Sequence, residues 1–598
     1  MAYSAPLADM RFVLEEVAEL DKLARLPGYE AASPDLVEAI LGEAAKLAET
    51  ELAPLNQPAD RAGSVLENGI VRTPQGFREA YARYVDGGWN GLAFDPEYGG
   101  QGLPLALAIP VAEMWNSACM SFALCPLLTV GAVELLQAHG SQEQKRLCLD
   151  KLVSGEWTGT MNLTEPQAGS DLGALRSRAV PADDPRWGEH YRITGQKIFI
   201  TYGDHDLAPN IIHMVLARTP EAPPGSRGIS LFLVPKFLPD DEGGPGSRND
   251  VRTLSLEHKL GIHASPTCVL AYGEDEGAIG WRIGEENRGL EYMFTMMNAA
   301  RLNVGLQGVA IAERAYQQAR DFARIRVQGR PLGTSASAET PPIIHHPDVR
   351  RMLLWMRAAT EAMRALAYYA AAMIDRGRRH PDAATRQAAQ RRADLLIPVV
   401  KAWCTDLGIA VASTGIQVHG GMGYVEETGA AQHLRDARIA PIYEGTNGIQ
   451  ANDLVGRKLG RDGGEAAAAL AAEMRATLAA LDQARSTELA AITRPLQDGL
   501  AALETATSFL VAAEPALAAA GSVPYLQMLG TVCAGWLMAR LALAAERCSA
   551  ENGGDATLRS AKRATARFYA EHFLAVAPGY LPGIMGGHTV LDFDPGQF

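Results

Sequence analysis

The chain has 598 residues, 55 Lys+Arg against 69 Asp+Glu, a formal net charge of −14, and 47% hydrophobic and 21% charged residues. A length of this order exceeds one ordinary core, so several soluble globular domains are expected, and the acidic balance excludes a general electrostatic drive toward nucleic acid. The seven cysteines (119, 125, 148, 268, 404, 533 and 548) are odd in number and contain no CxxC pair, which points to a reducing, cytoplasmic compartment.

The opening stretch MAYSAPLADMRFVLEEV carries acids early and lacks the apolar run of a signal peptide. Residues 1–155 read as a helical domain. Apolar residues recur at spacings of three and four in FVLEEVAELDKLARL and in 35–52, Ser141 and Gln144 are spaced as a capping box, and WNGLAFDPEYGGQGLP (89–104) interposes a turn-rich loop. Residues 156–280 read as a central antiparallel β domain, with strands expected in HYRITGQKIFIT (190–201), NIIHMVLA (210–217) and GISLFLVP (228–235) and an exposed insertion loop in LPDDEGGPGSRNDV.

Helical periodicity returns over 281–457. Leu290, Met293, Phe294 and Met297 are predicted on one stripe of a helix punctuated by Pro331 and Gly333, and a second long helix is expected to end before Arg378. From 458 to 598, Ala-rich amphipathic segments predict an additional helical domain. The apolar segment MLGTVCAGWLMA (528–539), between Gln527 and Arg540, reads as a buried helix too short to span a bilayer.

Several familiar catalytic devices are absent: there is no GxGxxG after a strand, GxxxxGK[ST], HExxH or GxSxG. The 13 histidines, including His345-His346, form no ligand-like constellation, so no metal is expected. Three stretches draw attention. In MNLTEPQAGSDLGALRSRA (161–179) Pro166 and Gly169 suit a turn while Thr164 and Ser170 offer hydroxyls, although an ordinary β-turn explains the same residues. In ITGQKIFITYG (193–203) Phe199 and Thr201 are two apart and so share one strand face, either as an outward pair or as a core Phe beside an edge Thr. In ARIAPIYEGTNGIQANDL (437–454) Glu444 stands among apolar and small uncharged residues, before a run, Gly445-Thr446-Asn447-Gly448, that reads as a turn. Locally it is a solvated turn residue, a helix cap or a buried acid.

Taken in order with IGEENRGL, DFARIRVQGRPLG, QVHGGMGY and IYEGTNGIQ, these stretches resemble the acyl-CoA dehydrogenase family of flavoproteins, over about residues 40–457. The resemblance implies an α+β fold: an N-terminal helical domain, a central β-barrel and a helical bundle, here with the extra C-terminal helical domain. It implies FAD held without a Rossmann fold. Thr164 and Thr201 would bond the isoalloxazine with Phe199 beside the ring, Ser170 would lie toward the CoA or flavin phosphates, and Thr446 would contact FAD. Arg326, Gln417 and Gly421 would reach the FAD of a neighbouring subunit, which implies a homo-oligomer, a dimer or a dimer of dimers. Glu444 matches the family's base, which takes the α-proton of an acyl-CoA while the β-hydrogen leaves as hydride to flavin N5.

Around Arg301, where some relatives place the base, the chain has Asn298, Ala299 and Ala300, none of which takes a proton at neutral pH. Arg301 matches an Arg serving the CoA region, with a structural salt bridge as the other reading. Gln328 and Asn298 depart from the common Phe and acid. The length and the 240–250 insertion resemble a long bacterial branch whose members act on straight-chain acyl-CoA or on 3-methylmercaptopropionyl-CoA, in β-oxidation-type fatty acid metabolism. The implied electron acceptor is electron-transferring flavoprotein. Met114, Trp115, Phe122 and Leu127 read as core or as acyl-pocket lining. Two other functions remain open: a flavin oxidase or monooxygenase on the same scaffold, and a DNA-binding alkylation-response relative, against which the tail's lack of a dense basic face counts.

Overall fold

All the strands fall within Thr50–Leu103 and Ala118–Ala300, alongside several helices. The computed structural model describes residues 3–333, 340–484, 486–550 and 555–597, without the side chains of 548–550, so the Cys548 thiol lies outside the described residues. The chain gathers into two compact units, Met1–Glu49 with Pro104–Ser117 and Arg301–Phe598, and Thr50–Leu103 with Ala118–Ala300.

The second unit is built on a sheet. A small hairpin, β1 (Val65–Glu67) and β2 (Ile70–Arg72), precedes it. Its turn is Asn68-Gly69, both at positive φ, a hairpin signal that the helical periodicity of the region obscures in the sequence. The main strands are β3 (Thr158–Asn162), β4 (Arg178–Asp184), β5 (Gly188–Thr201), β6 (Ile211–Ala217) and β7 (Ser230–Pro235), then β8 (Phe237–Pro239), β9 (Pro245–Arg248), β10 (Val251–Leu256), β11 (Thr267–Tyr272) and β12 (Ala278–Ile283). Their order is β10-β11-β5-β12-β7-β6-β3, with β4 beside β5. Pairing is antiparallel except between β3 and β6, which run parallel, so the expectation of a wholly antiparallel domain is corrected at that edge. Every residue of β6 and β7 is buried, as both sequences, almost all apolar, require. Ile193, Val215, Phe232 and Leu270 meet in the core.

The expected insertion loop is largely a hairpin. β8 pairs with β9 around Asp240, whose carboxylate accepts from the backbone of Glu242 and Gly244; the local Asp and Gly content that suggested a loop supplies its turn. The capping box is present at the helix Gln142–Ser154, with Ser141 Oγ accepting from Gln144 N at 3.1 Å and Gln144 Oε1 accepting from Ser141 N at 2.9 Å. Phe122 is core, set against Phe77, Tyr81 and Tyr84.

The first unit is helical. It contains α1 (Leu7–Glu16), α2 (Pro34–Leu47), the start of α3 (Leu105–His139), most of α4 (Gly289–Ile325), α5 (Pro347–Arg379), α6 (Ala383–His419) and α7 (Asn447–Asp453). The C-terminal helices follow: α8 (Glu465–Gln483), α9 (Thr487–Ala512), α10 (Ser522–Ala550) and α11 (Ala556–His572). α3 is broken at Cys119, which has strand-like dihedrals. Met114 and Trp115, just before it, are buried. At the start of α4 the buried stripe runs through Tyr292, Met293, Met296 and Ala300, while Leu290, Phe294 and Met297 are half-buried, so the predicted stripe is rotated by about a residue.

α10 corrects the length argument made for residues 528–539. Its residues 522–547, like Leu105–His139 and the run Ala383–Tyr424, are long and apolar enough to cross a membrane by length and composition, but their most apolar windows are 89%, 89% and 78% buried inside the protein. The segment is a buried helix, as its apolar surround demands.

α4 and α6 meet backbone to backbone. A Cβ at Gly308 would lie 2.2 Å from the Cys404 carbonyl oxygen, one at Gly305 2.6 Å from that of Val400, and one at Gly408 2.7 Å from that of Gly308. This contact sets the distance between the helices that carry Arg301 and Lys401. Gly308→Ala is therefore expected to force the helices apart and to destabilise the chain by ~1–3 kcal/mol, read from urea unfolding; a loss below about 0.5 kcal/mol would show that the crossing is not constrained there.

Candidate active site

Glu444 lies in the segment between the helix Ala430–Ala437 and α7. Its own φ is +58° and that of Gly445 is +84°, so two successive residues are left-handed, and the first is not glycine. Such a conformation persists only where surrounding contacts over-determine it. They do so here. Gln450 Nε2 donates to Glu444 O at 3.1 Å, the Tyr443 hydroxyl bonds Gln307 on α4, and Lys401 Nζ on α6 donates to Gly445 O at 2.7 Å. The expected turn stops early. Thr446 is the N-cap of α7, its Oγ1 accepting from Ile449 N at 3.3 Å, and Asn447 and Gly448 are already helical.

Glu444 is half-buried, and desolvation of its carboxyl group pushes it up to about 7, with the Arg301 and Lys401 charges pulling in the opposite direction. Burial is the larger influence. Lys401 is wholly buried and is itself pushed down to about 7 by desolvation, against Glu444 and Asp406. Arg301 is also buried. Its Nη1 lies 3.6 Å from Asp453 Oδ2, and Asp453 is bonded in turn by Arg457 on the next helical turn. The structural salt bridge envisaged for Arg301 is thus present, and its charge bears on Glu444 as well. An acid poised near neutrality, beside the Arg301 guanidinium and a lysine whose own proton affinity has fallen, can take up and release a proton at physiological pH.

The other candidates fall into separate groups. Thr164, Ser170, Phe199 and Thr201 belong to the sheet unit. β5 carries a bulge where Cys268 and Leu270 pair with Ile200 and Lys197, and Phe199 sits in it at φ +59°. Simple alternation fails across the bulge, since both Lys197 and Ile200 point inward; from the bulge onward Phe199 and Thr201 share the outer face. Phe199 is 59% exposed. Thr164 is tied to the same strand by Ile198 N donating to its carbonyl at 2.9 Å, and Thr160 Oγ1 donates to Thr201 O at 2.8 Å.

The turn 165–168 is closed by reciprocal backbone bonds between Glu165 and Ala168, while Gly169 needs no special conformation. Burial would raise Glu165, but Lys197 at 2.7 Å and the Ser177 and Arg176 donors hold it down to about 2. This buried pair fixes the turn to the strand that presents Phe199. Ser170 is exposed. Arg326, Gln417 and Gly421 are exposed on the helical unit, beyond the ends of α4 and near the end of α6.

A flat heteroaromatic ring needs an apolar face and nearby hydrogen-bonding groups. The outward Phe199 ring with Thr164 and Thr201 offers both, so the residues present fit a bound flavin.

Lys401, Asp406, Asn447 and Gln450 escaped the sequence reading. Lys401 had a signal, a lone cation inside the apolar run LLIPVVKAWC. Among the described residues no group of three or more His, Cys, Asp or Glu is arranged to hold a metal ion.

Residues 35–156 match the acyl-CoA dehydrogenase N-terminal domain, 160–273 the middle domain, 287–459 the C-terminal domain and 470–594 the acetyl-CoA dehydrogenase C-terminal-like family. The chain is 49% identical over 577 residues, 96% of each chain, to 3-methylmercaptopropionyl-CoA dehydrogenase of Ruegeria pomeroyi. It is 37% identical over 590 residues, 96% of this chain and 95% of the other, to a butyryl-CoA dehydrogenase of Syntrophomonas wolfei. Its fold is similar to that of Caenorhabditis elegans ACDH-11, solved in complex with C11-CoA, with a TM-score of 0.75, 20% identity and coverage of 96% and 93% of the two chains.

Proposed function

Since the chain belongs to the acyl-CoA dehydrogenase family, we propose that it oxidises an acyl-CoA thioester to the trans-2-enoyl-CoA, with Glu444 as the base that removes the α-proton. The enzyme is an FAD-dependent acyl-CoA dehydrogenase, an oxidoreductase acting on a CH–CH bond. The observation that carries the assignment of the base is the desolvated carboxyl of Glu444, raised to about 7 and flanked by Arg301 and Lys401.

An α-proton of a thioester is weakly acidic, so a base with a raised proton affinity is better matched to it than an ordinary carboxylate. Arg301, and Lys401 when it is protonated, favour the ionised form of Glu444, so part of the population is ready to accept at neutral pH. Once Glu444 has taken the proton, the loss of its charge relieves the desolvation that raised it. Thr164, Thr201 and Thr446 would hold FAD, Phe199 would cover its ring, and Arg326, Gln417, Gly421 and Ser170 would serve its phosphates, the last also with Arg301 toward the CoA. Bound FAD supplies the two-electron acceptor for the β-hydrogen.

The substrate is a straight-chain fatty acyl-CoA or 3-methylmercaptopropionyl-CoA. Similarity over nearly the full length to relatives named for the latter and for butyryl-CoA supports this range. Electron-transferring flavoprotein as acceptor, a homo-oligomeric state and a cytoplasmic location complete the proposal.

The test is anaerobic stopped-flow absorbance of the FAD-loaded protein mixed with 3-methylmercaptopropionyl-, butyryl-, octanoyl- and palmitoyl-CoA. Bleaching of the flavin band by at least one thioester is expected, and the fastest identifies the substrate branch. A flavin that dithionite reduces but none of these thioesters bleaches would overturn the assignment.

A further inference from the structure

We propose that Gln527, on α10 of the C-terminal region, is a positioning residue for the base, acting through Asp406, Asn447 and Lys401 on the left-handed segment that carries Glu444. The inference rests on the reading of Glu444 as the base.

The connection is a continuous run of hydrogen bonds through three helices. Gln527 Nε2 donates to Asp406 Oδ2 at 2.8 Å, and Asp406 Oδ1 accepts from Asn447 Nδ2 at 2.7 Å. Asn447 Oδ1 accepts from Lys401 Nζ at 2.9 Å, and the same ammonium donates to Gly445 O at 2.7 Å. Asn447 Nδ2 also lies 3.0 Å from Ala402 O and 3.1 Å from Thr405 Oγ1. The polarity of the run is dictated at its centre. A carboxylate only accepts, so Gln527 and Asn447 must both turn their amide nitrogens toward Asp406, and Asn447 is left with its oxygen facing Lys401.

α10 grips the catalytic helix a second time. Ser522 Oγ donates to Asn452 Oδ1 at 3.0 Å, at the opposite end of α7 from Asn447. The C-terminal region thus fixes both ends of the short helix that begins two residues after Glu444's left-handed neighbour. The left-handed segment with φ +58° at Glu444 is held from two sides, by Gln450 within α7 and by Lys401 on α6, and the second hold comes from outside α7.

The charges around the run have defined signs. Asp406 is raised by burial and pulled down by Asn447, Gln527, Lys401 and Arg438. Lys401 faces Glu444, Asp406 and Arg301. Removing the Gln527 donor leaves Asp406 readier to take up a proton, which weakens its hold on Asn447 and, through it, on Lys401. A local displacement of this kind misplaces a base without removing it.

The experiment uses the full-length FAD-loaded chain as wild type, Gln527→Leu, Gln527→Glu and Glu444→Gln. Backbone hydrogen–deuterium exchange of a peptide covering 443–450 is measured with flavin reduction by a bleaching acyl-CoA at saturation from pH 6 to pH 8. For Gln527→Leu we expect faster exchange in 443–450 and a limiting reduction rate lower by roughly tenfold, with the substrate concentration for half-maximal rate within about twofold. Gln527→Glu shares one proton with Asp406 at low pH and repels it at high pH, so its rate relative to wild type should recover toward pH 6 and fall toward pH 8. Wild-type exchange and wild-type rates in both variants would overturn the proposal, as would a change confined to half-saturation. Should Gln527→Leu fail to fold, the pH dependence of Gln527→Glu decides. If Glu444→Gln reduces its flavin as fast as wild type, the base assignment fails, and the exchange of 443–450 still reports whether Gln527 supports that segment.

Discussion

Glu444→Gln is expected to slow substrate-driven flavin reduction by roughly 10²–10⁴-fold, while the flavin spectrum and its reduction by dithionite stay as in the wild type. Glutamine keeps the size and hydrogen-bonding reach of the side chain but cannot take a proton, so a smaller loss would mean that another group acts as the base. The wild type should show a matching pH dependence. Below about 7 Glu444 holds its proton and cannot accept another; above it the carboxylate is free. The second-order rate for reduction of free enzyme by substrate should therefore rise as pH passes through about 7, and this ascending limb should be absent from the residual rate of Glu444→Gln.

The same ionisation acts on stability with the opposite sign. Because the folded state raises Glu444 from 4.5 to about 7, it binds this proton more tightly than the unfolded chain does. Stability falls as pH rises from about 4.5 to about 7 and levels off above. At pH 8 the neutral variant should resist unfolding better than wild type by up to roughly 3 kcal/mol, and at pH 4 the advantage should vanish. Activity lost alongside stability gained is the signature of a functional strain rather than of a structural role.

Removing Arg364 should have the largest effect on the fold. This wholly buried guanidinium stands among three carboxylates. Its Nε lies 2.9 Å from Glu113 Oε1, its Nη2 2.8 Å from Glu313 Oε2, and its Nη1 bonds Asp9. Tyr368 completes Glu113 at 2.8 Å. Lys562 on α11 bonds Asp9 from the far side and Glu361 at 3.1 Å. Helices α1, α3, α4, α5 and α11 are joined through this one cluster, which ties the C-terminal region to the bundle as the Gln527 relay does elsewhere.

Arg364→Met would leave Asp9, Glu113 and Glu313 buried without their shared cation, and a loss of about 3–5 kcal/mol is expected. Arg364→Lys should recover only part, since one ammonium cannot reproduce the planar fork. Urea unfolding of the three proteins decides the matter. A loss below about 1 kcal/mol would show that the cluster balances desolvation against attraction and contributes nothing net.

What the chain determines by itself is whatever depends on neighbours close in sequence. Short β-rich runs bounded by turn residues placed β5, β6 and β7, period-three-and-four runs placed the long helices, and the Ser141 capping box needed only four residues. The ordered motifs around Thr164, Phe199, Arg326, Gln417 and Glu444 were legible for the same reason, because each is a short local pattern. Where two local signals competed, the reading slipped: Asp and Gly in 239–250 suggested a loop although they turn a hairpin, and Asn447-Gly448 suggested a turn although Thr446 caps them into a helix.

Tertiary structure decided the remainder. The bulge that turns Phe199 outward is set by its pairing with β11, some seventy residues later. The partners of Glu444 are not its sequence neighbours but Arg301 and Lys401, brought to it by the glycine crossing of α4 and α6. Gln527 reaches Asp406 across 121 residues, and Lys562 reaches Asp9 across 553. A carboxylate's proton affinity depends on what surrounds it in space, so the sequence can supply an acid in an apolar stretch, and only the fold makes it a base poised near neutral pH.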